Sequence, residues 1–302
     1  MEITVDEVEQ KERLDKYIFR ISNIESRSQV KKMFDEGKVF VNGVIKKSGY
    51  IVNKGDIITF ELPSKPVENI IPQEMPLEIL YEDDDIICIN KPQGMVVHPG
   101  AGNYDKTLVN ALKYHTDKLS DIGGDNRLGI VHRIDKNTSG LLLVAKNNFA
   151  HIELQKQIQT KECKRLYIAL LHGTPKEKSG IIDKNLKRSN KDRTKIEICP
   201  KGEGREAITL YNVIEEFSGY SLVKFELKTG RTHQIRVHAK SIGHGVVGDD
   251  VYSNIKNKFE TNGQLLHAYE IHFTHPRTRE YMVFTAPLPK YFEDILSSLR
   301  GK

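Results

Sequence analysis

The chain has 302 residues, 38% of them hydrophobic and 29% charged, and its 46 Lys and Arg against 41 Asp and Glu give a formal net charge of +5. That length suits one large domain or one domain with a small module, and the composition allows a buried core beneath a polar surface. No apolar run approaches the roughly 20 residues of a membrane span, and Cys88, Cys163 and Cys199 form no Cys-x-x-Cys pair, which excludes a zinc ribbon or a disulfide framework.

The first residues lack the basic and apolar regions of a signal peptide, so a soluble protein of the reducing cytoplasm is expected. The small positive excess permits a polyanionic partner without demanding one. Its distribution says more. Arg27, Lys31, Lys32 and Lys38 crowd one stretch, and Lys184, Lys187, Arg188, Lys191, Arg193 and Lys195 crowd another. Such runs serve equally as solvated faces or as phosphate contacts.

Leu14, Tyr17, Ile18 and Ile21 repeat at helical spacing, and Val30, Met33 and Phe34 do so behind the candidate caps Ser26 and Ser28. Gly37 supplies a helix stop. Val39 to Ile45 reads as a hairpin turned at Asn42-Gly43, a pair that tolerates positive φ. Asp56 to Phe60 adds a strand. These elements predict a small module over residues 12–62. Pro63, Pro66, Pro72 and Pro76 then mark a linker over residues 63–76, because proline fixes φ and removes donors.

Beyond it, residues 77–302 alternate strand-like and helical segments. Strands are expected at Ile86 to Ile89, Leu141 to Val144, Leu166 to Leu171, Ala207 to Val213 and Leu222 to Leu227. Helices are expected near Thr107 to Tyr114, Phe149 to Thr160, Thr232 to Ile242 and Tyr291 to Leu299. This order predicts an α+β domain with a mainly antiparallel mixed sheet rather than repeated βαβ units. Cys88 lies inside the apolar run Ile86-Ile87-Cys88-Ile89 and reads as a buried hydrophobe.

Residues 128 to 146 carry the densest chemistry. Two apolar strand candidates flank a polar loop holding His132, Arg133, Asp135, Lys136, Asn137, Thr138 and Ser139. Strands that hold such a loop can present reactive groups, and the same residues can equally satisfy a surface turn. His132 through Gly140 (HRIDKNTSG) closely resembles the signature of the RluA/RluD branch of pseudouridine synthases, His-Arg-Leu-Asp followed by two variable residues and Thr-Ser-Gly. Ile134 in place of Leu keeps an apolar side chain.

The resemblance spans most of the chain. It includes Asn90 to Pro99, Lys164 to Leu170 and Leu227 to His238. Gly248 to Tyr252, Leu266 to Ala268 and Phe273 to Pro276 complete the set. The first module resembles an S4-like RNA-binding domain.

The resemblance implies an enzyme that flips a uridine from its stack, cuts the C1′–N1 bond, rotates the base and rejoins it through C5. It makes Asp135 the carboxylate beneath the ribose, a role chemically akin to that in retaining glycosidases. It gives Arg236 the paired cation, Tyr167 the stacking on uracil with removal of the C5 proton, and Arg133 a contact with RNA near the vacated space. His132 is expected to be structural or to touch RNA. The basic residues Arg27, Lys31, Lys32, Lys187 and Arg188 are the candidate RNA contacts outside the loop.

His233 and His238 lack the company of a metal site, and Lys201-Gly202-Glu203-Gly204 lacks a phosphate-loop ending, so neither metal nor cofactor is expected. The implied partner is RNA, foremost ribosomal RNA or an assembling large ribosomal subunit, with no membrane partner and a monomer favoured. Three other readings compete: a synthase acting on transfer RNA, a non-catalytic RNA-binding or assembly protein, and a hydrolytic glycosidase or nucleosidase. Binding alone would not require Asp135, Tyr167 and Arg236 together, and a hydrolase would release free uracil.

Overall fold

A computed structural model of the chain describes residues 1–6, 11–22, 27–61, 70–100, 102–124 and 127–301, with the side chains of 27–29 and 32 outside that description. The chain divides into two compact units, Met1–Val67 and Glu68–Lys302. Among the described residues no helix is long and apolar enough to cross a membrane.

The first unit holds β1 (Glu2–Thr4), α1 (Leu14–Ile21), α2 (Arg27–Asp35), β2 (Val39–Val41), β3 (Val44–Ile45) and β4 (Ile57–Phe60). Its strands form an antiparallel sheet in the order β1-β4-β2-β3. Asn42 and Gly43 have φ of 51° and 76°, the two positive values that a tight hairpin turn requires. Gly37, at φ 67°, ends α2 while the Lys38 N–H bonds back to the Met33 carbonyl. Leu14, Ile18, Val30 and Met33 pack on Val39, Val41 and Ile58 in a core belonging to this unit. Ser26 and the Ser28 side chain, the expected caps, lie outside the described residues, as do Pro63 and Pro66.

Residues 70–76 belong to the second unit and are tied to its interior. Ile70 is buried in its core, Asn110 donates to the Ile71 carbonyl, and the Gln73 N–H bonds to Asn110 O. There the strands are β5 (Glu78–Glu82), β6 (Ile86–Lys91), β7 (Ser139–Ala145), β8 (Lys164–His172), β9 (Ser179–Asp183), β10 (Leu186–Arg188), β11 (Ile196–Ile198), β12 (Ile208–Phe217), β13 (Tyr220–Leu227), β14 (Leu266–Thr274) and β15 (Tyr281–Thr285). The helices are α3 (Leu108–His115), α4 (Asn148–Gln159), α5 (Gln234–Ser241) and α6 (Lys290–Leu299).

A nine-stranded sheet runs β5-β6-β7-β14-β8-β13-β12-β9, with β15 added on β14. The β7–β14 pair is parallel and every other pair in this sheet is antiparallel. The α+β reading with a mainly antiparallel mixed sheet is therefore what the structure has.

Side chains alternate across this sheet as the pleat requires. Ile87, Ile89, Leu142, Val144, Tyr167 and Ala169 face α3 and α5 on one side. From the same strands, Ile86, Cys88, Leu141 and Leu143 face α4 on the other, and Ile168 and Leu170 face α6. Each fully buried Ile or Leu contributes about 1.5–3 kcal/mol. With all seven residues of β7 buried, the strand is a firm floor for the loop preceding it.

The apolar run before that loop departs from expectation. Leu128 to Val131 forms turns with one isolated bridge, Ile130 to Val144, rather than a strand. Gly129 has φ 72°, and a Cβ there would lie 2.7 Å from Val144 Cγ1, so the chain bends where an extended strand would collide.

Candidate active site

Asp135 sits on the loop entering β7, at the edge of a pocket that also receives Tyr167 from β8 and Arg236 from α5. Its side chain is 24% exposed while that of Arg236 is 5% exposed. Arg236 Nη1 donates to Asp135 Oδ2 at 3.1 Å. The same guanidinium grips Asp249 with two bonds, Nε to Oδ2 at 2.7 Å and Nη2 to Oδ1 at 2.8 Å, the fork geometry that makes arginine hard to replace by lysine. Asp249 in turn accepts the Val251 and Tyr252 N–H groups, both at 3.0 Å. Burial works to lower the Arg236 pKa, but its hydrogen-bonded Asp249 and then Asp135 reverse this and raise it. The cation beside Asp135 is thus fixed in place and in charge.

A helix begins here, later than expected. Gly230 and Thr232 precede α5, whose first residue is Gln234, and Gln234 Oε1 accepts the Arg231 N–H at 2.9 Å. Arg236 still falls in the first turn, where helix-end donors favour anions. His233, just before the helix, adopts a left-handed φ of 54°, which a non-glycine residue accepts at a cost and which clusters at functional sites. The result places His233 Nε2 3.9 Å from Asp135 Oδ1, opposite the oxygen held by Arg236. Tyr252 OH lies 2.7 Å from His233 Nδ1 and accepts the Ile196 N–H at 2.9 Å. Tyr252 thus ties His233 to the Ile196 backbone, with the donor of the Tyr252–His233 bond set by the tautomer of the ring, and it holds the other ring nitrogen toward Asp135.

The loop itself is tied from below. Lys91, fully buried, donates to the carbonyls of Pro92 at 2.7 Å, Met95 at 2.8 Å and Lys136 at 3.1 Å. Burial pushes Lys91 down to about 7 while Asp135 pulls it up. Thr138 N–H bonds to the Asp135 carbonyl and Thr138 Oγ1 accepts from Gln264. Ser139 Oγ lies 2.8 Å from His267 Nδ1 and 3.2 Å from Tyr291 OH, joining β7, β14 and α6. Gly140, at φ 108°, passes so close to β14 that a side chain would strike the Ala268 backbone. His132 Nε2 accepts the Leu143 N–H at 3.0 Å, and its Nδ1 is sealed from solvent with no partner among the described residues. Burial pushes this ring down to about 3, so it stays neutral and acts as a fastener.

Tyr167 is 6% exposed. Burial raises its phenol to about 12, with Arg165 opposing and Asp135 adding to the rise. An apolar ring with a polar tip suits stacking on a flat base. Arg133 lies exposed at the mouth, its Nη2 3.0 Å from Thr232 Oγ1. The structure therefore brings Asp135, Tyr167, Arg236 and Arg133 to one pocket.

The remaining candidates lie on other elements. Lys31 is exposed on α2 of the first unit, and the Arg27 and Lys32 side chains lie outside the described residues. Arg188 is exposed on β10, and Lys187 beside it pairs with Glu203 at 2.8 Å. Sequence reasoning assigned no role to Asp249, Tyr252 or Lys91, although Gly248 to Tyr252 and Asn90 to Pro99 stood out as strings. Asp83, Asp85 and His275 come close enough to hold a metal ion. They are instead engaged among themselves and with Arg277, which grips Asp85 through two bonds.

Residues 85–241 match the family model described as RNA pseudouridylate synthase, and residues 12–58 match the S4 domain. An RNA pseudouridine synthase of Bacillus subtilis is 44% identical over 300 residues, covering 99% of this chain and 98% of that protein. The ribosomal large subunit pseudouridine synthase D of Zymomonas mobilis is 42% identical over 289 residues, covering 92% and 90%. Human RNA pseudouridylate synthase domain containing 1 has the same fold, with a TM-score of 0.58 at 24% identity over 75% of this chain and 96% of that one. The chain belongs to the RNA pseudouridylate synthase family, isomerases that convert uridine in RNA to pseudouridine.

Proposed function

We propose that this protein isomerises uridines of large-subunit ribosomal RNA, with Asp135 as the catalytic carboxylate, Arg236 as its paired cation and Tyr167 as the platform for the flipped uracil. The observation that carries the site reading is the Asp135–Arg236–Asp249 chain, in which a buried guanidinium is fixed by one carboxylate and presented to another that still faces the pocket. Breaking the C1′–N1 bond builds positive charge on the ribose, and Asp135 answers it by charge or by bonding to C1′. Tyr167 supports the base while it turns, and Arg133 at the mouth meets the RNA. The ribosomal reading is supported by relatives named for the large subunit, from Zymomonas mobilis at 42% identity and Vibrio cholerae at 39%. The first unit, the S4 domain, supplies affinity through Arg27, Lys31 and Lys32, while Lys187 and Arg188 add phosphate-binding charge from β10.

Asp135→Asn keeps the shape of the side chain and removes its charge. Single-turnover pseudouridine formation is expected to vanish while RNA binding stays within about threefold, because phosphate-binding residues elsewhere carry much of the affinity. Arg236→Ala is expected to slow the rate by about 10²–10³, the scale of removing one electrostatic partner of the reacting centre. The double mutant should show strong non-additivity, since both residues act on one pair. Near-normal turnover by folded Asp135→Asn refutes the site. Mapping pseudouridines in large-subunit ribosomal RNA with and without the gene tests the substrate, and an unchanged map refutes that part alone.

A further inference from the structure

Arg165 lies on β8 two residues before Tyr167 and on the same face of the strand. It is 6% exposed, and among the described residues its buried Nε has no hydrogen-bond partner and no carboxylate lies within ion-pair distance. Of the acids that line the pocket, Asp135 is held by Arg236 and exposed Glu206 lies 4.0 Å from Lys161. A buried arginine without a partner is costly and is rarely kept for packing alone. Gly230 leaves room for it, since a Cβ there would come within 2.7 Å of Arg165 Nη1. The side chain lines the same pocket as Asp135, Tyr167 and His132, and its charge acts on the Tyr167 phenol and the His132 ring.

We propose that Arg165 is a further catalytic residue, the cation that receives the negative charge of uracil once its glycosidic bond has broken. This rests on the site reading above. When C1′–N1 breaks, the bonding pair leaves with N1, and the resulting anion spreads its charge over N1 and the two carbonyl oxygens of the base. Asp135 meets the electron-poor sugar, and a second group must meet the electron-rich base. C5 then bonds to C1′, the proton on C5 leaves, and one proton returns to N1, so no oxidant or co-reactant is needed. Arg127, Arg133 and Lys161 also line the pocket but are exposed, as suits cations that meet solvated phosphates. Arg165 is instead buried beside the tyrosine that supports the base, where a fixed donor in a water-poor site is most effective.

The test uses full-length Arg165→Met and Arg165→Lys with RNA carrying uridine or 5-fluorouridine at the target position. Fluorine stabilises the departing anion, so a missing cation matters less. At saturating RNA in single turnover, Arg165→Met is expected to consume the uridine target about 10²–10³-fold more slowly than the parent. The slowing on 5-fluorouridine should be about tenfold smaller, and RNA affinity should change little. Arg165→Lys, which keeps the charge but not the fork, should fall between and show the same direction of leaving-group dependence; it decides the matter if the methionine variant does not fold. Equal slowing on both substrates overturns the proposal, as does a defect seen in RNA affinity that disappears at saturation, which would mark a phosphate-binding role. Asp135→Asn in the same assay keeps the two questions apart: turnover by that variant refutes the carboxylate, whereas the leaving-group ratio reports on Arg165.

Discussion

At the scale of single residues, the site is a set of side chains each held by another. Arg236 meets Asp135 through one nitrogen because Asp249 holds two others. His233 turns Nε2 toward Asp135 because Tyr252 holds its Nδ1. Sequence made Asp135 and Arg236 legible through their motif strings, but not these holders. Asp249 and Tyr252 act across turns that bring residues 233–236 against 249–252 and 196, which spacing does not reveal. Tyr252→Phe tests the holding. The ring and its packing over Arg236, 5.0 Å from the guanidinium, are retained, while the Ile196 N–H is deprived of its acceptor and His233 Nδ1 of its partner. We expect a fall of about tenfold in single-turnover rate from removing one buried hydrogen bond, with unchanged RNA affinity and an altered pH profile. An unchanged rate and profile would mean that the Tyr252 hydroxyl does not position His233.

At the scale of elements, β7 and its loop show where pattern reading succeeds and where it stops. The apolar run Leu141 to Val144 is a strand as expected, because every face of it is covered. Leu128 to Val131 looks equally apolar yet turns, because Gly129 at φ 72° packs under Val144 and Ala145, a proximity that composition cannot show. The fastening between loop and strand is His132, whose Nε2 receives the Leu143 N–H. Its folded pKa of about 3 lies below the ordinary 6.5. Between those values the unfolded chain binds a proton that the native state refuses, so this stability is fully present above about 6.5 and drains away as pH falls toward 3. His267, lowered to about 4 by burial, adds a slope of the same sign. His132→Gln should therefore reduce proton uptake on unfolding near pH 5 by about one, read from the pH dependence of the unfolding free energy. An unchanged uptake would show that His132 is not held neutral.

At the scale of the molecule, order and class of elements were legible, but strand order was not. Parallel pairing of β7 with β14 sets Ser139 beside His267, a hydrogen bond between residues 128 positions apart that no local pattern encodes. What the sequence does divide is the work, with the catalytic strings all beyond residue 90 and a separate basic stretch on α2. Each unit has its own core, Leu14, Ile18 and Ile58 in one and Ile87, Leu142 and Phe225 in the other. Removing residues 1–67 thus leaves the second core whole. A protein of residues 68–302 should still convert a short target stem-loop at saturating RNA. Its affinity should fall, and the plot of log affinity against log salt should flatten by about 0.7–0.9 for each phosphate no longer neutralised, because fewer counterions are released on binding. Binding across a salt series, beside single-turnover rates, separates the two contributions. If affinity and salt slope both match the full chain in a folded truncation, the S4 domain is not the source of RNA affinity.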